Sequence, residues 1–515
     1  MVSLSQNDHL TLKQRGISTA QVEAQLHQLR QGVPPIHLVR TCGLGDGILQ
    51  LSPEHCTEYH RQFQMAHAEG RVSKFIPASG AATRMFKDLL QFLETCPATP
   101  TTMLKDGNPP APILEAWKQL HHFPFIDALR QYFELADIDF QHLYETGQLA
   151  QVFHALVQTP GLDYANLPKA LLPFHRYPEG IRTSLEEHVR EAMWYGKKTF
   201  GLVRIHLTVS AQFETQVKAA LEKVQQQELQ RGNELELTVS IQKSSTDTIA
   251  LNAQGEPFRD NEGLLVFRPG GHGALLENLN DYQGDIVFIS NIDNVVPDHL
   301  KDLIVEWRMT LGGYLLEVQD KIFHLLHQLE LGQPTLIEEV EAFVHRHLHD
   351  QFPQSYDRLT SQQKAIQLKQ FLNRPLRVCG VVPNTGDPGG GPFWVQQADG
   401  SQSRQIIEQS QVDPESKSQQ ELFASATHFN PVDIVCGVRN YQRKPFNLMT
   451  FSDPNTSFIS HKSYQGRDLK ALEWPGLWNG GMANWITLFV EIPRATFNPV
   501  KTFLDWLHPN HQPPA

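Results

Sequence analysis

The sequence predicts an α/β protein: a mainly parallel sheet flanked by helices, with a helical N-terminal region and a mixed C-terminal portion. Three observations predict it. From residue 202 strand-like runs alternate with helical ones: LVRIHLTVS (202–210), AQFETQVKAALEKVQQQELQR, LELTVSIQK (235–243), GALLENLND and DIVFISN (285–291). Strands separated by helices of this length imply crossover connections and parallel pairing. Further upstream, RVSKFIPASGAATRMFKDLLQFLE (71–94) reads as a short strand, a turn of small residues and a helix with Met85, Leu89, Phe92 and Leu93 on one face. Finally, 515 residues exceed the length at which one hydrophobic core stops growing, so two or three domains are expected.

The elements follow in order. Residues 1–70 read as helical and polar, QVEAQLHQLRQG giving a helical period with a glycine stop. CGLGDGI (42–48) reads as a plain turn, because no strongly apolar strand precedes it. Residues 71–297 form the expected α/β core. Within it, 96–115 is a Pro/Thr-rich loop, 116–160 is helical, and LPKALLPFHRY (167–177) interrupts the helices with prolines. Residues 298–372 are almost wholly helical, an insertion or subdomain, and 373–515 are a mixed portion rich in Gly, Pro and strand-like runs. In EEVEAFVHRHLHD, His345 and His349 stand at i and i+4 beside His347; without a third ligand they read as a solvated helix face.

Composition narrows the function classes. A formal net charge of −12 disfavours a general nucleic-acid or membrane-surface binder, which needs a basic face, but leaves room for a small phosphorylated ligand held by local cations. Five scattered cysteines without CxxC spacing fit reduced thiols better than a disulfide framework or a zinc site. MVSLSQNDHLTLKQRG has no apolar core of signal-peptide type and no later run approaches membrane-spanning length, which predicts a cytoplasmic protein.

Several stretches carry chemistry. In FISNIDNVVPD (288–298) an apolar run turns polar at Asn291, Asp293 and Asn294, which suits the carboxyl end of a strand, where open α/β sheets bind ligands. ASGAATR (78–84) would let backbone N–H groups of Ala78, Ser79, Gly80, Ala81 and Thr83 approach phosphate oxygens, with Arg84 as a fixed cation; a tight β–α turn uses the same residues. PKALLPF (168–174) holds Lys169 between prolines, and FRPGGHGALLENL (267–279) places Gly271 and His272 in a glycine turn. EIPRATFNPVKTFLDWL (491–507) exposes Lys501 ahead of a helix.

In this order and with these gaps, the four stretches ASGAATR, PKALLPF, PGGHG with FISNIDN, and NPVKTFLDW resemble the UDP-glucose pyrophosphorylase family of nucleotidyltransferases, over about 71–300 and the last segment. The chain also resembles, over nearly its whole length, a bacterial family known as a domain of unknown function, sharing ASGAATRM, KALE, PGLWNG and FNPVKT. The first resemblance implies a nucleotide-diphospho-sugar transferase-like (Rossmann-like) sheet and a reaction between a nucleoside triphosphate and a sugar 1-phosphate. By that resemblance Asp293 would bind Mg²⁺, and Gly80 and Arg84 would hold the triphosphate. Lys169 and Lys501 would contact phosphates, and Gly271 and His272 would lie against the base or sugar phosphate. Gln242 would contact the base, and Lys470, Glu473 and Asn479 of KALEWPGLWNGGMANW would touch the sugar. Asp433 and Asp453 are candidates for a second acidic ligand.

The chain departs from that family where Ala78, Ala81 and Ala82 stand in its glycine-rich loop, each adding a Cβ where the base would lie. The reading that follows is a Mg²⁺-dependent nucleotidyltransferase giving an NDP-sugar and pyrophosphate. The alternative is a non-catalytic nucleotide- or sugar-nucleotide-binding protein of the same fold. A glycosyltransferase would call for a D-x-D core where this chain has N-I-D-N.

Overall fold

The computed structural model describes residues 4–514 except 97–108, 196–200, 332–335, 349–351, 354 and 388. The chain divides into two compact, interleaved units: 1–75, 240–290 and 307–494 form the first, and 76–239, 291–306 and 495–515 the second.

The first unit carries a sheet in the order Gly43–Leu44, Gly47–Leu49, Ile486–Glu491, Leu376–Pro383, His428–Gly437, Ile286–Ser290 and Val72–Pro77. Every neighbouring pair is parallel except those made by His428–Gly437, which runs against both of its neighbours. The mainly parallel α/β class is therefore observed. Ile286, Val287, Phe288 and Ile289 are wholly buried, as a strand covered on both faces requires. Each such side chain contributes about 1.5–3 kcal/mol by leaving water. One packed cluster joins Phe75, Leu275, Leu276, Leu279, Val287 and Ile289 to Cys379, Ile434 and Phe489. Two antiparallel sheets complete the unit: Leu38–Thr41 with Gly391–Gln396 and Gln402–Ile407, and Phe267–Arg268 with Thr248–Leu251, Arg467–Glu473 and Phe458–Tyr464. The expected C-terminal portion, 373–515, supplies Gly391–Gln396, Gln402–Ile407, Phe458–Tyr464 and Arg467–Glu473; the other strands come from earlier in the chain.

In the second unit the strand Val203–Val209 leads through the helix Glu214–Gln230 to the strand Leu235–Ile241. That helix buries Val217, Leu221 and Val224, the spacing of one helical face. The helices Lys87–Glu94, Ala111–Lys118, Ile126–Leu135, Phe140–Glu145 and Leu149–Val157 enclose a core that includes Phe86, Phe123, Phe125, Phe174, Val295, Val500, Phe503 and Trp506.

Some elements differ from expectation. CGLGDGI forms two short parallel edge strands rather than a plain turn, because Ile48 can bury its side chain beneath the sheet. Helix replaces the end of the expected 96–115 loop at Ala111–Lys118, entered through Pro110. His345 and His347 are exposed on a π-helical turn, as a solvated face requires; His349 lies outside the described residues.

Candidate functional site

Asp293 stands at the turn that follows the buried strand Ile286–Ser290. The turn closes through the Asn294 N–H, which donates to Asn291 O at 3.2 Å. It is then clamped by the C-terminal segment. Asn294 Oδ1 accepts from Asn498 N at 2.9 Å, Asn294 forms a bridge with Pro499, and Val500 N donates to Asp293 O at 3.0 Å. From the other side the Ile292 carbonyl accepts from the Ser184 hydroxyl and from His188 Nε2.

This clamp brings two lysines onto one carboxylate. Lys169 Nζ donates to Asp293 Oδ2 at 2.7 Å, and Lys501 Nζ donates to Oδ1 at 2.9 Å and Oδ2 at 3.1 Å. The side chain of Asp293 is 6% exposed, that of Lys169 16% and that of Lys501 48%. Burial pushes the Asp293 carboxyl up; the ammoniums of Lys501 and Lys169 outweigh it and hold the group below the usual carboxylate range. Coulomb's law gives that sign, since two positive charges beside the group favour its ionised form. The ionised triad carries one negative and two positive charges, and so is receptive to an anion.

The loop 78–84 is hydrogen-bonded to the same neighbourhood. Ala78 N donates to Thr208 O at 2.8 Å and Ala82 N to Leu167 O at 2.9 Å. Ser79 O accepts from Ser210 Oγ at 2.7 Å, Thr83 Oγ1 donates to Ala165 O at 2.9 Å, and Ala81 bridges Pro168, the residue before Lys169. At its far end Met85 O accepts from Phe503 N at 3.0 Å, two residues beyond Lys501. Gly80, Ala81, Thr83 and Arg84 are exposed, and a Cβ added at Gly80 would meet nothing within 4 Å. The loop passes first into a 3-10 turn, Ala82–Arg84, and the α-helix begins only at Lys87. Its N-terminal partial charge thus starts farther along the chain than ASGAATR alone implies.

The first unit gathers a different set. Gly271 adopts φ +73°, and a Cβ there would stand 2.6 Å from Glu473 Oε2, so the close approach requires glycine. His272 Nδ1 accepts from Leu477 N at 3.1 Å, and its ring stacks on Trp478 with centroids 4.3 Å apart. Burial lowers its pKa to about 4, leaving a neutral imidazole with its proton on Nε2. Glu473 accepts from Lys462 at 2.9 Å, and Asn479 Nδ2 donates to Ile406 O at 3.0 Å. Lys470 pairs with His461 across the strands and is exposed, three positions from Glu473 and therefore on the opposite face. Gln242 follows the strand Leu235–Ile241, where Asn278 Nδ2 donates to Ile241 O at 2.9 Å.

Asp433 is engaged by Arg308 at 2.9 Å, and Asp453 caps a short turn through Asn455 N. Among the described residues no group of three or more His, Cys, Asp or Glu is arranged to hold a metal ion. Sequence reading missed Asn498 and Lys462. Asn498 was legible in NPVK beside the asparagines of NIDN; Lys462 carried no local signal, because its position depends on strand register.

The family model for a domain of unknown function (DUF4301) matches residues 5–512. No curated protein matches the chain. Among solved structures, the chain is similar to the uridine diphosphate N-acetylglucosamine pyrophosphorylase from Trypanosoma brucei in complex with inhibitor. The identity is 10% and the TM-score 0.47, with 98% of this chain and 79% of that one covered. The UDP-glucose pyrophosphorylase G45Y mutant from Leishmania major, in complex with UDP-glucose, is 14% identical at a TM-score of 0.42, with the same coverage of 98% and 79%. A putative UDP-N-acetylglucosamine pyrophosphorylase from Entamoeba histolytica is 10% identical at a TM-score of 0.42, with 92% and 83% covered.

Proposed function

We propose that this chain, which belongs to the DUF4301 family, transfers a nucleotidyl group from a nucleoside triphosphate to a sugar 1-phosphate and releases pyrophosphate. One observation carries the reading: Lys169 and Lys501, far apart in sequence, meet on the buried Asp293 at the carboxyl end of a strand. One lysine would suffice to neutralise the buried carboxylate; the second leaves a surplus positive charge that a phosphate can take up. The order of the motifs along the chain supports the same reading.

The reaction needs no covalent intermediate. An oxygen of the sugar phosphate attacks the α-phosphorus in line, and the bond to the leaving pyrophosphate breaks. What the residues must supply is alignment and neutral charge. Lys169 and Lys501 would bind phosphate oxygens as compact ammoniums, and Lys169 is also oriented by Val500 O at 3.4 Å. Arg84 and the exposed backbone of Gly80 and Ala81 would hold the outer phosphates. Mg²⁺ characteristically binds one or two carboxylates together with substrate phosphates. The donor set fits it: Asp293 is held as a carboxylate beside two lysines, and with a triphosphate on those lysines it would hold the metal, which supplies charge neutralisation at the phosphates when bound. The base and sugar contacts are proposed for Gln242, Gly271, His272, Glu473 and Asn479; Lys470, on the opposite face of its strand from Glu473, is left out.

The test is a thermal-shift screen of the nucleoside triphosphates with Mg²⁺. A triphosphate at about 100 times its Kd should add about 2.7 kcal/mol of stability, and Asp293→Asn should reduce the gain. A screen in which no triphosphate raises Tm overturns the proposal.

A further inference from the structure

We infer that the two lysines lock the Asp293 carboxylate until a polyphosphate draws them off, so that the protein takes up a divalent cation only with or after the triphosphate. The inference rests on the functional reading above and concerns the order in which that site fills.

Both carboxylate oxygens are already engaged, Oδ1 by Lys501 at 2.9 Å and Oδ2 by Lys169 at 2.7 Å and Lys501 at 3.1 Å. A cation approaching the triad meets a net positive charge and a carboxylate without a free oxygen; an anion meets two ammoniums. Nor do the described residues offer another cluster of acidic or imidazole ligands to which the cation could turn.

The main chain fixes this arrangement. Val500 N on Asp293 O and Asn498 N on Asn294 Oδ1 hold the turn and the Lys501 segment together, so the lock opens by side-chain motion. Lys501 is the group free to move. Its side chain is 48% exposed on a flexible stem, whereas Lys169 is 16% exposed and also donates to Val500 O at 3.4 Å. A polyphosphate offers each ammonium new anionic acceptors, so the lysines exchange one anion for another. Asp293 is then left as an ionised carboxylate with oxygens free beside bound phosphate, the donor set a hard divalent cation takes.

The experiment titrates the full chain with Mn²⁺, in place of Mg²⁺, by calorimetry and by water-proton relaxation, without nucleotide. The wild type should show no Mn²⁺ site in the range where Lys501→Met binds it, and Lys501→Met should bind at least tenfold more tightly. Adding inorganic tripolyphosphate to the wild type should give a relaxation enhancement above that of Mn²⁺ and tripolyphosphate alone, and Asp293→Asn should abolish it. Lys169→Met repeats the comparison if Lys501→Met does not fold. Wild-type protein that binds Mn²⁺ alone as tightly as the lysine variants overturns the lock, as do lysine variants that gain no binding. Failure to release pyrophosphate with this Mn²⁺ pattern intact overturns nucleotidyl transfer and leaves the lock supported.

Discussion

At the scale of single residues, Asp293 and Arg84 make opposite demands on the fold. Asp293→Asn keeps the shape of the turn and removes the charge that two lysines face. The expected outcome is a loss of turnover of at least about 100-fold, with a stability cost of about 1–3 kcal/mol read from a denaturant curve. Wild-type turnover in that variant would leave Asp293 as a turn residue only. Arg84 is exposed, so Arg84→Ala should change stability by no more than about 0.5 kcal/mol while raising KM for the triphosphate in steady-state kinetics. An unchanged KM would remove Arg84 from the site. Asp293 stood out in the sequence because Asn and Asp are poor residues for the strand they follow, and Arg84 because it closes a turn of small residues between a strand and a helix. Lys462 did not, since nothing local marks a lysine that strand pairing turns toward Glu473.

At the scale of elements, the segment 495–507 is held by its aromatic anchor. Trp506 is wholly buried and meets Phe86, Phe123, Phe125 and Phe174 with ring centroids between 5.5 and 6.4 Å apart. Trp506→Ala should cost about 3–5 kcal/mol and weaken triphosphate binding as the Lys501 segment loosens, whereas Leu507, which is only partly buried, should tolerate substitution better. Denaturation curves and triphosphate titrations check both, and a Trp506→Ala protein with undiminished affinity would separate the anchor from the site. Strands and long helices were read well because hydrophobic period reports burial directly. The edge strands of CGLGDGI and the late start of the helix at Lys87 were not. Both depend on long-range partners, the sheet beside Ile48 and the turn bonded to Phe503, which local propensity does not contain.

At the scale of the whole molecule, the chain assembles each unit from separated stretches, which reading along the sequence from one composition change to the next does not reveal. Buried histidines set its acid response. Burial lowers His206 and His272 to about 4 and His511 to about 3, from an ordinary 6.5. Below 6.5 the unfolded chain takes up these protons while the native chain does not, so stability rises with pH across this window and is lost as pH falls from 6.5 toward 4. Each group contributes a slope of about 1.4 kcal/mol per pH unit within its window. Asp293, with its carboxyl lowered, adds a loss of the same sign below the carboxylate range. His511→Asn should flatten the dependence of Tm on pH between 6.5 and 4; an unchanged slope would show that His511 is protonated in the native state. The central claim is nucleotidyl transfer, and the release of pyrophosphate from a panel of nucleoside triphosphates and sugar 1-phosphates with Mg²⁺ tests it most directly. The account predicts release by the wild type with at least one pair and at least about 100-fold less by Asp293→Asn. Tight triphosphate binding with no pyrophosphate from any pair would contradict it and leave a binding protein of this fold.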